Sequence, residues 1–224
     1  MFKYISNIYN LYWKHKNFLP KKQYSCFGED LFIKDFFEKD NKGYYVDVGS
    51  YHPFFWNNTY LLYKKKWNGI NVDANPLSIE LFDIARKDDY NFNLAVTNKK
   101  KNKIKLFYRR KMNVLNTTDE SFAKKNFPNG YESKEINCLS LNNILAKTNF
   151  KNKIIDFLNV DVENTEIDVL ESLDFNIYKP RLICVEIHTE NPNSLKSNST
   201  YKFLDEKGYK IVWKKEYSYI FSIN

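Results

Sequence analysis

Hydrophobic positions along this chain follow two alternating rhythms. Short apolar runs occur at Tyr44–Val48, Gly69–Asp73, Phe92–Thr97, Ile154–Val162 and Leu182–Ile187, most of them closed by a glycine or a polar residue. Runs of that length read as buried strands. Between them, apolar residues recur at helical spacing. Phe32, Ile33, Phe36 and Phe37 mark a helix over Glu29–Glu38, and residues 58–66 read as another. Asn75 and Pro76 supply an N-cap and a first-turn proline for a helix reaching about Lys87. Ser140 caps a helix carrying Leu141, Ile144 and Leu145, a helix spans 165–173, and one at 197–207 stops at Gly208. The segment 104–108 is expected to pair with 92–97 across a lysine-asparagine turn, and 135–139 to form a further strand. Residues 109–134 are polar and irregular, and a loop of that length is expected to act as a lid or binding loop. At the C-terminal end, 209–213 and 217–222 are joined by too short a turn for a crossover and must be antiparallel.

Strands alternating with helices predict an α/β domain, a mainly parallel sheet with helices on both faces and a closing antiparallel hairpin. In such a sheet ligands sit beyond the carboxyl ends of the strands. Those ends carry Asp47-Val48-Gly49-Ser50, Asp73-Ala74-Asn75, Ala95-Val96-Thr97, Asp161-Val162-Glu163 and Glu186-Ile187-His188. The first turn has a single glycine, so the multi-glycine fingerprint of a pyrophosphate-binding turn is absent. A ligand with an amino-acid end and an adenosine end makes milder demands. Gly49 would admit the amino-acid part, Asp47 would hold its ammonium group directly or through water, and Asp73 would accept the two ribose hydroxyls. His188 is the strongest candidate base by its ordinary pKa, with Glu186 or Asp161 to orient it. The alternative is structural, with His188 ending a strand and Glu186 pairing with a lysine. A second alternative makes Asp161, Glu186 and His188, with Glu163 beside them, ligands of a divalent metal that binds a sugar diol. His52, Phe54, Phe55 and Trp56 either stack on a sugar or fill the space beneath their loop.

The chain has 224 residues, a hydrophobic fraction of 43% and a net charge of +8. That size suits one sizeable domain (23–224) behind an N-terminal extension (1–22). The basic balance comes from short lysine clusters such as Lys64–Lys66 and Lys99–Lys101, which read as solvated turns and helix ends rather than a nucleic-acid surface. Cys26, Cys138 and Cys184 are widely spaced and suggest neither a zinc site nor a disulfide framework, which fits a cytoplasmic setting. No run of about 18 apolar residues predicts a membrane span. In the extension, Ile5, Ile8, Tyr9, Tyr12 and Trp13 recur at helical spacing beside Lys3, Lys14, His15 and Lys16. This amphipathic helix is expected to pack on the domain or on a second copy, with peripheral membrane contact as the alternative, and His15 is expected at the surface.

Several of these segments resemble the FkbM family of methyltransferases. The matching pieces are Ser25-Cys26-Phe27-Gly28-Glu29-Asp30, Val46-Asp47-Val48-Gly49-Ser50-Tyr51-His52-Pro53, Asn58-Thr59-Tyr60, Asn71-Val72-Asp73-Ala74-Asn75-Pro76 and Asp161-Val162-Glu163-Asn164-Thr165-Glu166. They cover most of the chain after the first helix. The family usually has Gln where Cys26 stands and Gly where Asn164 stands; Asn tolerates a left-handed backbone and preserves the turn. The resemblance implies a Rossmann-like class I methyltransferase fold, S-adenosylmethionine as donor and O-methylation of a sugar or polyketide hydroxyl, in bacteria often for surface polysaccharide. It implies cofactor contacts from Asp47, Gly49, Asp73 and Asp161, with Glu186 and His188 facing the acceptor. Beside these, Ser50, Tyr51, Ala74, Asn75 and Ala95 are expected at the cofactor, His52, Trp56, Asn58 and Glu163 at the acceptor, and His188, Glu186 and Asp161 are expected to carry catalysis. Sugars and nucleotide-sugars are the expected substrates. Nucleic-acid methylation and a non-catalytic cofactor-binding role are the alternatives.

Overall fold

The computed structural model describes residues 2–17, 22–189 and 192–223. Its centre is a seven-stranded sheet of β1 (Tyr44–Val48), β2 (Asn68–Asp73), β3 (Tyr90–Asn93), β7 (Phe157–Val160), β8 (Leu182–Glu186), β9 (Tyr209–Lys215) and β10 (Ser218–Ile223), in the order β3-β2-β1-β7-β8-β10-β9. The pairs β1–β2, β2–β3, β1–β7 and β7–β8 are parallel, whereas β10 runs antiparallel to both β8 and β9. The predicted closing hairpin is therefore present, and its second strand inserts between β8 and β9. The chain winds outward from β1 in one direction and returns through β7 and β8 in the other. The topological switch point lies between β1 and β7.

Alternation along the strands sends side chains to two apolar layers. Val46, Val48, Ile70, Leu158, Val160 and Ile183 face α6 (Leu141–Leu145), α7 (Glu166–Glu171) and α8 (Ser199–Glu206). Tyr45, Phe157, Leu182, Cys184 and Ile220 face α2 (Glu29–Phe36), α3 (Tyr60–Lys64) and Trp67. Each fully buried aliphatic or aromatic side chain contributes about 1.5–3 kcal/mol by leaving water, so the two layers fix which strand ends converge. Helix α4 (Pro76–Ala85) starts as expected: Asn75 accepts from the Leu77 amide and Pro76 occupies the first turn.

Three expectations are corrected by the structure. Residues 92–97 are not one strand; β3 ends at Asn93, and β4 (Ala95–Val96) joins a separate three-stranded sheet in the order β4-β6-β5. Strand β5 (Lys103–Tyr108) pairs antiparallel with β6 (Glu132–Leu139), not with residues 92–97. The region 109–134 is ordered: Phe107 and Thr117 exchange backbone hydrogen bonds, and α5 (Glu120–Asn126) is capped by Asp119, whose carboxylate accepts from the Ser121 and Phe122 amides.

The N-terminal extension forms α1 (Phe2–Ile8) followed by a π-helical turn at Tyr9–Trp13. It docks through Leu11, buried against Tyr24, Phe54 and Leu81, and through Asn7 and Lys3, which both reach Glu80. Phe2, Tyr4, Ile5, Tyr9 and Trp13 face outward. His15 is not a free surface residue, since its ring stacks on Phe55 with centroids 4.0 Å apart. Residues 18–21, which the extension was expected to include, lie outside the described residues. Among those described, no helix is long and apolar enough to cross a membrane.

Candidate active site

The carboxyl ends of β1, β2, β7 and β8 open onto one cleft of about 1030 Å³. Gly49, Tyr51, Trp56, Asn58, Asp73, Ala74, Asn75 and Ala95 line it together with Asp161, Glu163, Glu186 and His188. Thus most of the residues singled out in the sequence meet at a single surface, at the switch point where the fold rule places a ligand.

Gly49 makes this approach of strands feasible. It follows β1 with φ of 80°, and a Cβ there would lie 1.6 Å from the carbonyl oxygen of Asp161. Only glycine allows the turns after β1 and β7 to touch. At the neighbouring corner Asp73 ends β2 with both carboxylate oxygens engaged. One accepts from the Tyr51 amide at 2.8 Å and the other from the Asn75 amide at 2.7 Å. Loss of surrounding water raises its pKa to about 6, against the lowering effect of those amides. A carboxylate offers more lone pairs than these two amides use.

Asp47, Ser50 and His52 lie behind the cleft wall rather than lining it, so of the roles expected of them the structure leaves Asp47 the one through water. Asp47 is 1% exposed. It accepts from Thr59 Oγ1 at 2.8 Å, Asn57 Nδ2 at 3.1 Å and Asn159 Nδ2 at 2.9 Å, while Arg86 lies close by. Burial raises its pKa and these donors oppose the rise. Its role in this arrangement is to tie β1, β7 and the 50–59 loop together. Ser50 is buried, and its hydroxyl has no hydrogen-bond partner among the described residues. His52 Nδ1 accepts from the Phe54 and Phe55 amides, which leaves Nε2 protonated and facing Asn10 O at 3.3 Å. Burial lowers its pKa to about 3, so the ring is a neutral brace beneath the loop.

Arg86 was not apparent from sequence. It is fully buried, donates to Thr59 Oγ1, Asn57 Oδ1 and the Pro53 carbonyl, and so holds the same loop from below. A lone arginine at a helix end gives no sequence signal of such a position.

At the other end of the cleft Asp161, Glu163, Glu186 and His188 form an acidic wall. His188 Nε2 lies 3.3 Å from Glu186 Oε2 and 4.0 Å from Glu163 Oε2. Hydrogen bonding to Glu186 raises the imidazole pKa. Burial, followed by repulsion from Glu186, raises the carboxyls of both Asp161 and Glu163. The nearby Glu166 is pushed to about 7 by burial. Three atoms, one each from Glu163, Glu186 and His188, lie within 4.8 Å of one another, a grouping suited to a metal ion. Of the four ligands expected there, Glu163, Glu186 and His188 come together and Asp161 stays outside the grouping.

Aromatic rings frame this wall: Tyr217 stands 5.0 Å from the His188 ring, Phe122 6.2 Å from it, and Phe27 5.4 Å from Tyr217. Residues 113–118, Ser121 and Phe122 close the side of the cleft. They are pinned to the turn after β7, where Glu163 and Asn164 both have left-handed backbones with φ of 57° and 81°. Thr117 Oγ1 donates to the Glu163 carbonyl at 2.6 Å, and Asn164 Nδ2 donates to Asp119 at 2.6 Å. The segment expected to act as a lid or binding loop thus lines the cleft, and its individual residues had no distinguishing pattern in the sequence.

Comparison with known proteins gives the family. No curated protein matches the chain. The model of the methyltransferase FkbM domain matches residues 47–211, a span that runs from Asp47 on β1 into β9 and includes Asp73, Asp161 and His188. With the sheet order and the cleft at its switch point, this match shows that the chain belongs to the FkbM methyltransferase family.

Proposed function

We propose that this methyltransferase transfers the methyl group of S-adenosylmethionine to a sugar hydroxyl, on a free glycan or a nucleotide-sugar. The observation that carries the reading is the division of one cleft into two chemically distinct ends. At the β1–β2 end, a glycine without a side chain stands beside a carboxylate preset by two backbone amides. At the β7–β8 end, a carboxylate-imidazole wall is framed by aromatic rings.

The first end fits the donor. Asp73 would accept the ribose hydroxyls, Gly49 and Tyr51 would border the methionine portion, and Ala74, Asn75 and Ala95 would line the adenosine side. When bound, the sulfonium supplies an electrophilic methyl carbon. The second end fits an acceptor hydroxyl. Trp56, Asn58 and Tyr217 offer ring faces and an amide to a sugar, and the acidic wall receives hydroxyl donors. In the displacement, the acceptor oxygen bonds to the methyl carbon, the carbon–sulfur bond breaks with its electrons left on sulfur, and the hydroxyl proton leaves to the wall. The groups able to receive it are Asp161 and the Glu186–His188 pair. Carboxylates at this end favour a neutral or cationic acceptor group over a polyanion, which weighs against nucleic acid. In a nucleotide-sugar the diphosphate would have Lys125 and Lys214 of the cleft lining within its reach.

S-adenosylhomocysteine should raise the melting temperature of the protein, and Asp73→Ala should abolish that rise. Mass spectrometry of glycans and nucleotide-sugars incubated with S-adenosylmethionine should show a methylated product. The absence of stabilisation in the unmodified protein would remove the reading.

A further inference from the structure

We propose that Glu163, Glu186 and His188 form a divalent-cation site at the acceptor end of the cleft, and that the ion binds two neighbouring oxygens of the acceptor. The first ground is geometric. The three donor atoms lie within 4.8 Å of one another. Ligands on opposite sides of a zinc-sized ion stand about 4 Å apart and adjacent ones about 3 Å, so small side-chain rotations complete the set. The 3.3 Å separation of His188 Nε2 from Glu186 Oε2 already matches adjacent ligands.

The second ground is an orphaned atom. Glu163 is 7% exposed, yet its Oε2 is buried without a hydrogen-bond partner among the described residues. That oxygen points into the cluster, 4.0 Å from His188 Nε2, too far for a hydrogen bond. A buried carboxylate oxygen left unpaired is strongly unfavourable, and a cation at the centre of the cluster would satisfy it. Among the described residues, no lysine or arginine forms an ion pair with Glu163 or Glu186; His188 is the partner recorded for both.

The ligand chemistry is mixed, two carboxylate oxygens and one imidazole nitrogen. That set suits Mn²⁺ or Zn²⁺ better than Ca²⁺ and leaves coordination positions free for substrate. Two adjacent hydroxyls of a sugar would fill those positions, and the bound hydroxyl would become more acidic. With the ion in place, Glu186 and His188 serve as ligands, and Asp161 remains as the wall carboxylate able to take the proton. The ion's role toward the acceptor depends on the proposed sugar methylation, whereas its binding does not.

The test is equilibrium binding of Mn²⁺ to the full chain after chelator treatment, followed by electron paramagnetic resonance and calorimetry without substrate. One ion per chain is expected, with affinity lowered at least tenfold by Glu163→Gln and by His188→Ala and unchanged by Glu132→Gln on β6. His188 is partly exposed, so its variant keeps the test informative if Glu163→Gln destabilises the fold. S-adenosylhomocysteine binding should be the same with and without chelator, which separates failure of the site from failure of the donor reading. Absence of stoichiometric Mn²⁺ and Zn²⁺ binding at submillimolar concentration would overturn the site. So would binding unaffected by both variants.

Discussion

Gly49 shows how one residue can set the geometry of the whole cleft. Its positive φ alone would strain any other side chain by about 1–3 kcal/mol, and the Asp161 carbonyl occupies the space of a Cβ. Gly49→Ala should therefore force β1 and β7 apart at their carboxyl ends. A lower melting temperature is expected, together with loss of S-adenosylhomocysteine stabilisation; retained stabilisation would show that the contact is dispensable. Gly49 and the Asn164 turn could be read from sequence because only a few residue types tolerate a left-handed backbone. His52 could not. Its sequence neighbours are aromatic and compatible with sugar stacking, but its environment is decided by Asn10 and His15, some forty residues earlier in the chain. The burial of Asp47 was not legible for a related reason: a carboxylate at a strand end looks the same in sequence whether it faces solvent or three internal donors.

Among the elements, β1, β2, β7 and β8 were legible because burial on both faces makes them nearly continuous apolar runs, and the closing hairpin because its turn is too short for a crossover. The boundary at Leu94 was not, since the change from one sheet to another depends on β6, some forty residues further on. The same nonlocality explains residues 109–134. Their order comes from the Phe107–Thr117 bridge, the packing of Ala123 and Phe127 on Phe107, and pins onto the β7 turn rather than from any periodicity of their own. Thr117→Val and Asn164→Ala each remove one of those pins, worth about 1 kcal/mol. Each should raise the acceptor KM severalfold, leave S-adenosylhomocysteine affinity unchanged, and increase proteolytic cleavage within 109–126. Unaltered cleavage and KM would mean that the wall stands without them.

For the molecule as a whole, acid sensitivity should reflect the seam between α1 and the domain. The ordinary imidazole pKa of 6.5 applies to His52 in the unfolded chain, against about 3 when folded. Folding thus favours the neutral ring, so this contribution is complete above pH 6.5 and is lost progressively as pH falls toward 3. Asp73 and Glu166 act in the opposite sense. Their folded pKa values, about 6 and about 7, exceed the ordinary 3.8 and 4.5, so their contribution is complete at low pH and is lost as pH rises through those values. His52→Gln should flatten the fall in melting temperature between pH 6.5 and pH 4; an unchanged slope would place acid sensitivity elsewhere. The seam also bears on where the protein can be cut. A fragment starting near residue 23 would satisfy the sequence boundary, yet it would leave an imidazole proton with no carbonyl, a hole where Leu11 sat, and a bare Phe55 ring beside the loop that presents Tyr51 to the cleft. Such a trimmed protein would carry every family motif and still have a slack binding loop, making the first helix a built-in splint for ligand recognition rather than a removable tail.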